Sequence, residues 1–292
     1  DINFILAEGE TLGLVGESGS GKSTILKALA GLNSPNAGRI ILSDHDHLSP
    51  SVEFRNIDQL RRIQLIFQNP DESLNPRQTV AEIISQPLKL YFGLTGDVLE
   101  NRIVELLNQV RLGQHYMERL PTQLSGGEKQ RVAIARAFAA EPEIILCDEV
   151  TSALDVSVQA AVIELFDALR ASRNTTYIFV SHDLAVVRAL ADKVAVLYQG
   201  RLCEFGPADA VYSNPLHPYT EVLLDAVLEP DAESHPKLTA VDMSEHSPPA
   251  QGCAFQRRCP KKLGNICDQE IPSWRYNEVG HAVRCHLSDA KS

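Results

Sequence analysis

The stretch GESGSGKST, residues 16–24, combines residue types that could bind a phosphate chain. Its glycines let backbone N–H groups approach phosphate oxygens closely and permit positive φ angles. Lys22 would supply a positive charge to the β- and γ-phosphates, and the Ser23 hydroxyl could bind Mg²⁺. A strand-like run at 11–15 and a helix-like run at 25–30 flank the stretch, which favours a phosphate-binding loop over a flexible Gly/Ser loop. The predicted nucleotide-binding residues here are Gly16, Ser18, Gly19, Gly21, Lys22, Ser23 and Thr24.

Two acidic residues end the apolar run EIILCDE at 143–149. The run predicts a buried strand, with Asp148 and Glu149 emerging at its carboxyl end. Asp148 would hold Mg²⁺, and Glu149 would act as the general base that polarises an attacking water. The alternative is an exposed acidic pair without a chemical role, and the phosphate-binding loop weighs against it.

Two further polar residues end apolar runs in the same manner. Gln68 closes LIFQ, and His182 closes YIFVSH. Residues at the carboxyl ends of parallel strands face the ligand crevice of an α/β sheet. Gln68 is therefore predicted to meet the metal or the attacking water, and His182 the γ-phosphate. A structural role is the ordinary alternative for a lone histidine, and the strand-end position makes it less favoured.

These strand ends meet only in a parallel sheet, so we predict an α/β fold with a P-loop NTPase core formed by residues 1–68 and 141–206. Residues 69–140 are predicted to form a helical subdomain, because apolar residues recur there at helical spacing. Nine of the 16 prolines follow Gly206, which predicts a loop-rich C-terminal extension at 207–292. The residues at helical spacing are Val98, Leu99, Ile103, Leu106, Leu107 and Val110.

Composition excludes several classes of protein. The net charge of -11 argues against nucleic acid as a partner, since binding a phosphate backbone needs clustered Lys and Arg. No run of about 18 apolar residues occurs, so no membrane-spanning helix is predicted. The chain lacks an initiating Met and opens in a strand-like run, and we expect residues upstream of Asp1 to belong to the protein.

The motifs LSGGEKQR at 124–131 and DEVTSALD at 148–155 complete a recognisable set. Together with the phosphate-binding loop and His182, they make residues 1 to about 206 closely resemble the nucleotide-binding subunit of an ABC transporter. The order and number of these motifs make the resemblance highly specific. It implies a P-loop ATPase core carrying a helical insertion.

The resemblance also implies roles for individual residues. Gln68 matches the Q-loop glutamine, Glu149 the catalytic glutamate, Asp155 the D-loop aspartate and His182 the switch histidine. In the family two such domains bind head to tail, so that the signature motif of one covers the nucleotide of the other. The family's adenine-stacking aromatic residue is expected upstream of Asp1. The signature residues predicted to bind the partner's nucleotide are Ser125, Gly126, Gly127 and Glu128.

The segment YSNPLHPYTEVLL at 212–224 suggests a sub-family. It resembles the extension of the ATPase subunits of oligopeptide and dipeptide importers, some members of which carry nickel, opines or sugars. The implied partners are two membrane-embedded permease subunits, a solute-binding protein and a second ATPase domain. That second domain could be an identical chain, a related chain or another part of the same chain. The implied location is the cytoplasmic face of the cell membrane.

Four cysteines lie in the last 40 residues of the extension, here called the tail, with five, seven and seventeen residues between them. These spacings are looser than those of structural zinc sites, and disulfides are disfavoured in a cytosolic domain. Six Lys or Arg against three acids between the first and last cysteine would offset a negatively charged thiolate cluster. The tail also looks like that of peptide-importer ATPases, some of which bind a 4Fe-4S cluster. An iron–sulfur site is therefore favoured over zinc and over free thiols, with ligands Cys253, Cys259, Cys267 and Cys285.

The favoured function is an ATP- and Mg²⁺-dependent subunit that powers an importer for peptides or related small solutes. A soluble ABC-type ATPase of DNA repair or translation, without a permease, is the second hypothesis, and an inactive nucleotide sensor is the third. The HPYT segment, residues 217–220, and the acidic net charge weigh against the second hypothesis. The complete set of motifs weighs against the third hypothesis. Nothing in the sequence places the tail near Lys22 or Glu149, so we expect the tail to act in its own folding or in docking partners.

Overall fold

The computed structural model describes residues 2–42, 46–150, 156–228 and 249–288. The chain divides into two compact units. The first comprises Asp1–Leu6, Thr11–Lys22 and His182–Ser292, and the second comprises Ala7–Glu10 and Ser23–Ser181. The strands are β1 (Thr11–Val15), β2 (Ile40–Leu42), β3 (Asp46–Leu48), β4 (Ile63–Ile66), β5 (Ile144–Asp148), β6 (Thr176–Val180), β7 (Lys193–Tyr198), β8 (Arg201–Pro207), β9 (Arg275–Tyr276) and β10 (Ala282–Val283). The helices are α1 (Lys22–Leu29), α2 (Ile57–Arg62), α3 (Pro70–Ser73), α4 (Val80–Phe92), α5 (Gly96–Gln109), α6 (Gly126–Phe138), α7 (Val156–Arg173), α8 (Leu184–Leu190), α9 (Ala208–Ser213), α10 (Pro218–Leu228) and α11 (Asn265–Gln269).

The second unit contains three parallel strands in the order β4-β5-β6. Strands covered on both faces consist of continuous apolar residues rather than alternating ones. Strand β5 follows this rule, since Ile145, Leu146 and Cys147 are all fully buried. Burial raises the pKa of the Cys147 thiol, which is a small core residue. The parallel arrangement brings the carboxyl ends of the three strands to one edge of this sheet.

Helices α3 to α6 lie between β4 and β5 in the chain, in the region predicted to be helical. Helix α4 begins with a capping box between Thr79 and Glu82, and ends at Gly93 in the left-handed conformation (φ 65°). Helix α5 buries Ile103, Leu106 and Leu107, as the helical spacing predicts. Val98 is the exception, because it lies in the first turn of α5 with 64% of its surface exposed.

The first unit contains five strands in the order β1-β7-β8-β10-β9. Strand β1 pairs with β7 in parallel, whereas the later pairs are antiparallel. A two-residue turn joins β7 to β8, with Gln199 and Gly200 both at positive φ (44° and 76°), as a tight hairpin requires. Strands β9 and β10 come from the cysteine-containing tail, so the tail extends this sheet.

Among the described helices none has the length and apolar character needed to cross a bilayer.

A fully buried carboxylate anchors the C-terminal extension to this sheet. The Glu204 side chain, on β8, accepts hydrogen bonds from the backbone N–H groups of Leu216 (2.8 Å) and His217 (2.9 Å). It also accepts one from the Thr220 hydroxyl and lies 2.7 Å from His281 Nε2. A buried charge is tolerated only when its oxygens are all hydrogen-bonded. Glu204 therefore explains Thr220, whose hydroxyl it binds, whereas it contacts His217 only through the backbone N–H.

The imidazole of His217 has a structural role that depends on its protonation. Its Nδ1 accepts a hydrogen bond of 3.0 Å from the backbone N–H of Tyr219, in the first turn of α10. Burial lowers the pKa of His217 from 6.5 to about 4, against the opposing charge of Glu204. A protonated Nδ1 could not accept this bond, so the folded extension requires the neutral ring.

We therefore expect stability to fall as pH drops below the unfolded-state pKa of 6.5, since the unfolded chain then binds a proton that the folded chain excludes. Between pH 7 and pH 5 the loss attributable to His217 should be about 2 kcal/mol. Urea unfolding of wild type and of His217→Asn, whose side-chain oxygen can still accept the Tyr219 bond, should give curves that diverge below pH 6.5. Parallel pH dependences of the two proteins would contradict this assignment.

Candidate functional site

The phosphate-binding loop begins where β1 ends, in the first unit. Gly16 has a φ of +146°, and a Cβ there would lie 2.2 Å from the Leu197 carbonyl oxygen on β7. No other residue fits that approach. Gly19 and Gly21 also have positive φ angles of 77° and 102°. The backbone N–H of Gly200 donates 2.8 Å to the Ser20 carbonyl, so the hairpin between β7 and β8 holds the loop from one side.

Lys22 is buried in this loop with only 4% of its surface exposed. Its Nζ donates to the backbone carbonyls of Gly16 (2.8 Å) and Glu17 (2.9 Å). A buried ammonium group needs acceptors, and here the loop's own peptide groups provide them. These bonds fix the position of the positive charge that the sequence assigns to phosphate binding. Ser18 and Thr24, also predicted to bind nucleotide, are both exposed.

In the second unit, the Ser23 hydroxyl donates 2.8 Å to Oδ1 of Asp148 at the end of β5. Asp148 is 8% exposed. A hydroxyl and a carboxylate side by side are hard oxygen donors of the kind that Mg²⁺ takes together with nucleotide phosphates. The residues predicted to hold Mg²⁺ therefore include a pair whose chemistry fits the ion.

Glu149 has an unusual backbone. Its φ is 49°, in the left-handed region that glutamate seldom adopts. Its N–H donates 3.0 Å to the Val180 carbonyl at the end of β6, which holds the residue in place. The Gln68 side-chain amide donates 2.8 Å to Oε2 of Glu149. Backbone strain of this kind concentrates at functional sites. The structure thus brings together two of the residues predicted to be catalytic.

Two further residues are predicted to act at the site, His182 and Asp155. His182 is exposed and lies in the first unit, two residues after β6 and next to Asp183, whose side chain caps α8. Asp155, the predicted D-loop aspartate, lies outside the described residues. The predicted roles of both residues stay predictions.

The signature motif forms the start of α6. Ser125 is its N-cap, and the Ser125 and Glu128 side chains bond each other's backbone N–H groups in a capping box. The Tyr116 hydroxyl also donates to Glu128, and this bond is the main reason that the pKa of the Glu128 carboxyl lies below its usual range. A Cβ on Gly127 would lie 2.6 Å from Val158 Cγ1, whereas a Cβ on Gly126 would have open space around it. Gly127 is therefore needed for packing within the chain and Gly126 is not.

The C-terminal extension contacts the phosphate-binding loop at Glu17, which no sequence motif indicates. The Tyr219 hydroxyl accepts a 2.8 Å bond from the Glu17 backbone N–H, and the Arg258 guanidinium binds the Glu17 carboxylate through two bonds of 2.7 and 2.9 Å. The sequence does not place the tail near Lys22, and the expected role of the tail in its own folding or in docking partners does not include this contact. The only hint in the sequence is the excess of basic residues in the tail, which does not identify the acidic partner.

The four tail cysteines are free thiols. Burial raises the pKa values of Cys253, Cys259 and Cys285, that of Cys285 to about 11, and the neighbouring tail cysteines raise each of them further. The backbone N–H of Cys253 donates 2.8 Å to the Cys267 carbonyl. In the part of the chain that the structure describes, however, no group of three or more His, Cys, Asp or Glu residues is placed to hold a metal ion. The predicted 4Fe-4S cluster is thus not supported.

Comparison with known protein families gives the decisive observation. A family model described as "ABC transporter" matches residues 1–152, which is just over half of the chain. The chain belongs to the ABC transporter family. A second model, described as "Oligopeptide/dipeptide transporter, C-terminal region", matches residues 203–267. The latter range contains Glu204, the HPYT segment and Arg258, and therefore the contacts described above.

Relatives named as peptide transport ATP-binding proteins align with nearly the whole chain. The di/tripeptide transport ATP-binding protein DppF of Pseudomonas aeruginosa is 42% identical over 99% of this chain and 89% of its own length. The oligopeptide transport ATP-binding protein AppF of Bacillus subtilis is 40% identical over 98% of this chain and 88% of its own length.

Solved structures of ABC proteins have the same fold. The cbiO1 protein of Clostridium perfringens, part of the ABC transporter complex cbiONQ, superimposes with a TM-score of 0.65 at 28% identity over 73% of this chain and 83% of its own. The ATP-binding cassette MJ0796, a dimer bound to ADP and Pi after hydrolysis, gives a TM-score of 0.62 at 32% identity over 71% and 89%. The predicted α/β fold of a P-loop ATPase is confirmed.

The position of Lys22 leads to a direct prediction. Removing its charge in Lys22→Ala should weaken binding of Mg²⁺–ATP by about 10- to 100-fold, because hydrogen bonds from a charged donor contribute about 1.5–3 kcal/mol. Lys27→Ala, on the exposed side of the same helix, is the matched control and should bind as wild type. Titration calorimetry on the three proteins measures the difference. Equal affinities for wild type and Lys22→Ala would remove Lys22 from phosphate binding.

Proposed function

We propose that the chain is the ATP-binding and ATP-hydrolysing subunit that powers an ABC importer for oligopeptides, dipeptides or related small solutes. The observation that carries this proposal is the match of residues 203–267 to the C-terminal region of oligopeptide and dipeptide transporters. The relatives DppF and AppF, named as di/tripeptide and oligopeptide transport proteins, align with the extension as well as the core and support the same substrate class.

Nucleotide binding is the first step of the proposed mechanism. The Lys22 ammonium, fixed by the carbonyls of Gly16 and Glu17, binds the β- and γ-phosphates. Ser23 and Asp148, whose side chains are hydrogen-bonded to each other, would hold Mg²⁺. The ion, when bound, would neutralise charge on the phosphates as the terminal bond breaks. The glycines of the loop let backbone N–H groups contribute further donors.

Hydrolysis is assigned to Glu149 as general base toward the attacking water. Its carboxylate accepts a hydrogen bond from Gln68, so the amide keeps one oxygen oriented while the other can take a proton. His182 is proposed to donate to the γ-phosphate, and Asp155 to act at the junction with a second ATPase domain.

A second copy of the ATPase fold completes the proposed assembly. The open space around Gly126 leaves the N-terminus of α6 accessible to a nucleotide held by another domain. We propose that Ser125, Gly126, Gly127 and Glu128 act in this way, within an importer that contains two permease subunits and a solute-binding protein. The chain would then lie peripherally on the cytoplasmic face of the cell membrane. Its proposed domains are the ATPase core at 1–68 and 141–206, the helical subdomain at 69–140 and the extension at 207–292.

We expect Glu149→Gln to bind Mg²⁺–ATP with unchanged affinity but to hydrolyse it at least about 100-fold more slowly, since a general base contributes about 10²–10⁴-fold. The variant should form a stable dimer with ATP in size-exclusion chromatography, and Ser125→Arg added to it should prevent that dimer. Hydrolysis near the wild-type rate would show that Glu149 is not the base.

The transport assignment is tested separately by purifying the tagged protein from its native membranes. Two membrane-embedded subunits should copurify, and peptide with the solute-binding protein should stimulate ATP hydrolysis by the reconstituted complex. Recovery with ribosomes or DNA-repair proteins, without membrane subunits, would favour the soluble alternative instead.

We also propose that the cysteine tail takes up a 4Fe-4S cluster. All four cysteines are free thiols, neighbouring cysteines contribute to the raised pKa values of three of them, and the local excess of basic residues would offset the negative charge of the cluster. Because the described thiols do not form a metal-holding group, uptake requires them to move closer together.

Protein purified without oxygen should then be brown and contain about four iron and four sulfide per chain, as a Cys₄-bound cluster requires. Replacing Cys253, Cys259, Cys267 or Cys285 by serine should remove the colour. A colourless preparation with stoichiometric zinc, or with no metal and all thiols titratable, would contradict the cluster.

A further inference from the structure

The peptide group between Gly16 and Glu17 is held at both ends. Its carbonyl oxygen accepts the 2.8 Å bond from Lys22 Nζ, and its N–H donates 2.8 Å to the Tyr219 hydroxyl. Because the peptide is planar and trans, its N–H and C=O point in opposite directions. A hydrogen bond that fixes the direction of the Glu17 N–H therefore also fixes the direction of the Gly16 carbonyl, which accepts the hydrogen bond from Lys22. Tyr219 acts on Lys22 through this peptide.

The Glu17 side chain provides a second connection to the same extension. Its carboxylate forms a bidentate pair with Arg258, whose pKa is raised mainly by hydrogen bonding to Glu17. Bidentate pairs of arginine and carboxylate restrict geometry more than single contacts do. The Glu17 carbonyl accepts the other bond from Lys22, at 2.9 Å. Both carbonyls that hold the lysine thus belong to peptide groups adjoining Glu17, and the extension holds Glu17 by its main chain and its side chain.

Tyr219 and Arg258 are themselves held rigidly. The Tyr219 ring is 1% exposed and packs against Tyr198 and Phe255, with ring centroids 4.7 and 5.3 Å away. Arg258 lies over the Tyr198 ring, with its guanidinium carbon 5.8 Å from the centroid. Well-packed supporting groups of this kind allow a side chain to orient its neighbour.

From this geometry we propose that Tyr219 and Arg258 are positioning residues for ATP binding, which hold Glu17 so that the Gly16 and Glu17 carbonyls keep the Lys22 charge in place. This inference rests on the proposed function only in that it requires nucleotide to bind at the loop. The C-terminal extension is then part of the nucleotide-binding apparatus, and its integrity sets the affinity for ATP.

A double-mutant cycle tests the proposal. Affinity for a non-hydrolysable ATP analogue with Mg²⁺ is measured by calorimetry on the full protein for wild type, Arg258→Met, Glu17→Gln and the double variant. Each single variant should bind about three- to tenfold more weakly, a modest range because the pair is partly exposed (22% and 40%). The double variant should bind no more weakly than the worse single variant, since both changes remove one interaction.

Tyr219→Phe should bind about threefold more weakly, because the Glu17 N–H loses its acceptor while the ring packing stays. Two variants in the same extension are matched controls. Lys261→Met removes an ion pair to Glu221, and Tyr212→Phe removes a hydroxyl bonded to the Leu184 carbonyl; both should bind as wild type.

The readout separates positioning from stability. If Arg258→Met and Tyr219→Phe lower the melting temperature but bind the analogue as wild type, or if the losses in the cycle are additive, the proposal is wrong. Should Arg258→Met fail to fold, Arg258→Lys and Tyr219→Phe decide the question by the same measurement. A wild-type protein that binds no nucleotide would overturn the proposed function instead.

Discussion

The burial of one amino group determines much of the first unit. Lys22 carries a charge that water scarcely reaches, so neutral carbonyls must stabilise it. A carbonyl can do so only if its peptide group keeps one orientation. That orientation is kept when atoms on the far side of the peptide group also make fixed contacts. Gly16 satisfies this by close approach to β7, and Glu17 by its bonds to the extension. A phosphate-binding loop that looks flexible by composition is thereby held in one conformation.

The sequence predicts those parts of the site that depend on local spacing. The loop from Gly16 to Ser23, the acidic pair at the end of β5 and the signature motif at 124–131 are each contained in a few consecutive residues, so their residue types and spacing are enough to identify them. Glu149 and Gln68 are also predictable as neighbours, because parallel strands bring their carboxyl ends to one edge. Periodicity likewise predicts α5, apart from the exposed Val98.

The contacts made by the extension could not be predicted in this way. Glu17 and Arg258 are 241 positions apart, and nothing in either segment has a period or motif that identifies the other. The HPYT segment is recognisable as a signature, but its physical meaning depends on Glu204, a buried carboxylate that looks in the sequence like any residue of an amphipathic strand. The cysteines show the reverse case. Their clustering in the sequence suggests a metal site, yet among the described residues they form no group placed to hold a metal ion.

The left-handed backbone of Glu149 has a consequence for the evolution of this protein. Such a conformation costs a non-glycine residue about 1–2 kcal/mol, and glycine or asparagine would adopt it more readily. Neither of them carries a carboxylate. Selection for heat resistance alone would favour losing the glutamate, as commonly happens where stability and activity conflict. With Glu149 as the proposed general base, a thermostable library of this protein screened without an activity assay would therefore become enriched in inactive members, with residue 149 among the first positions to change.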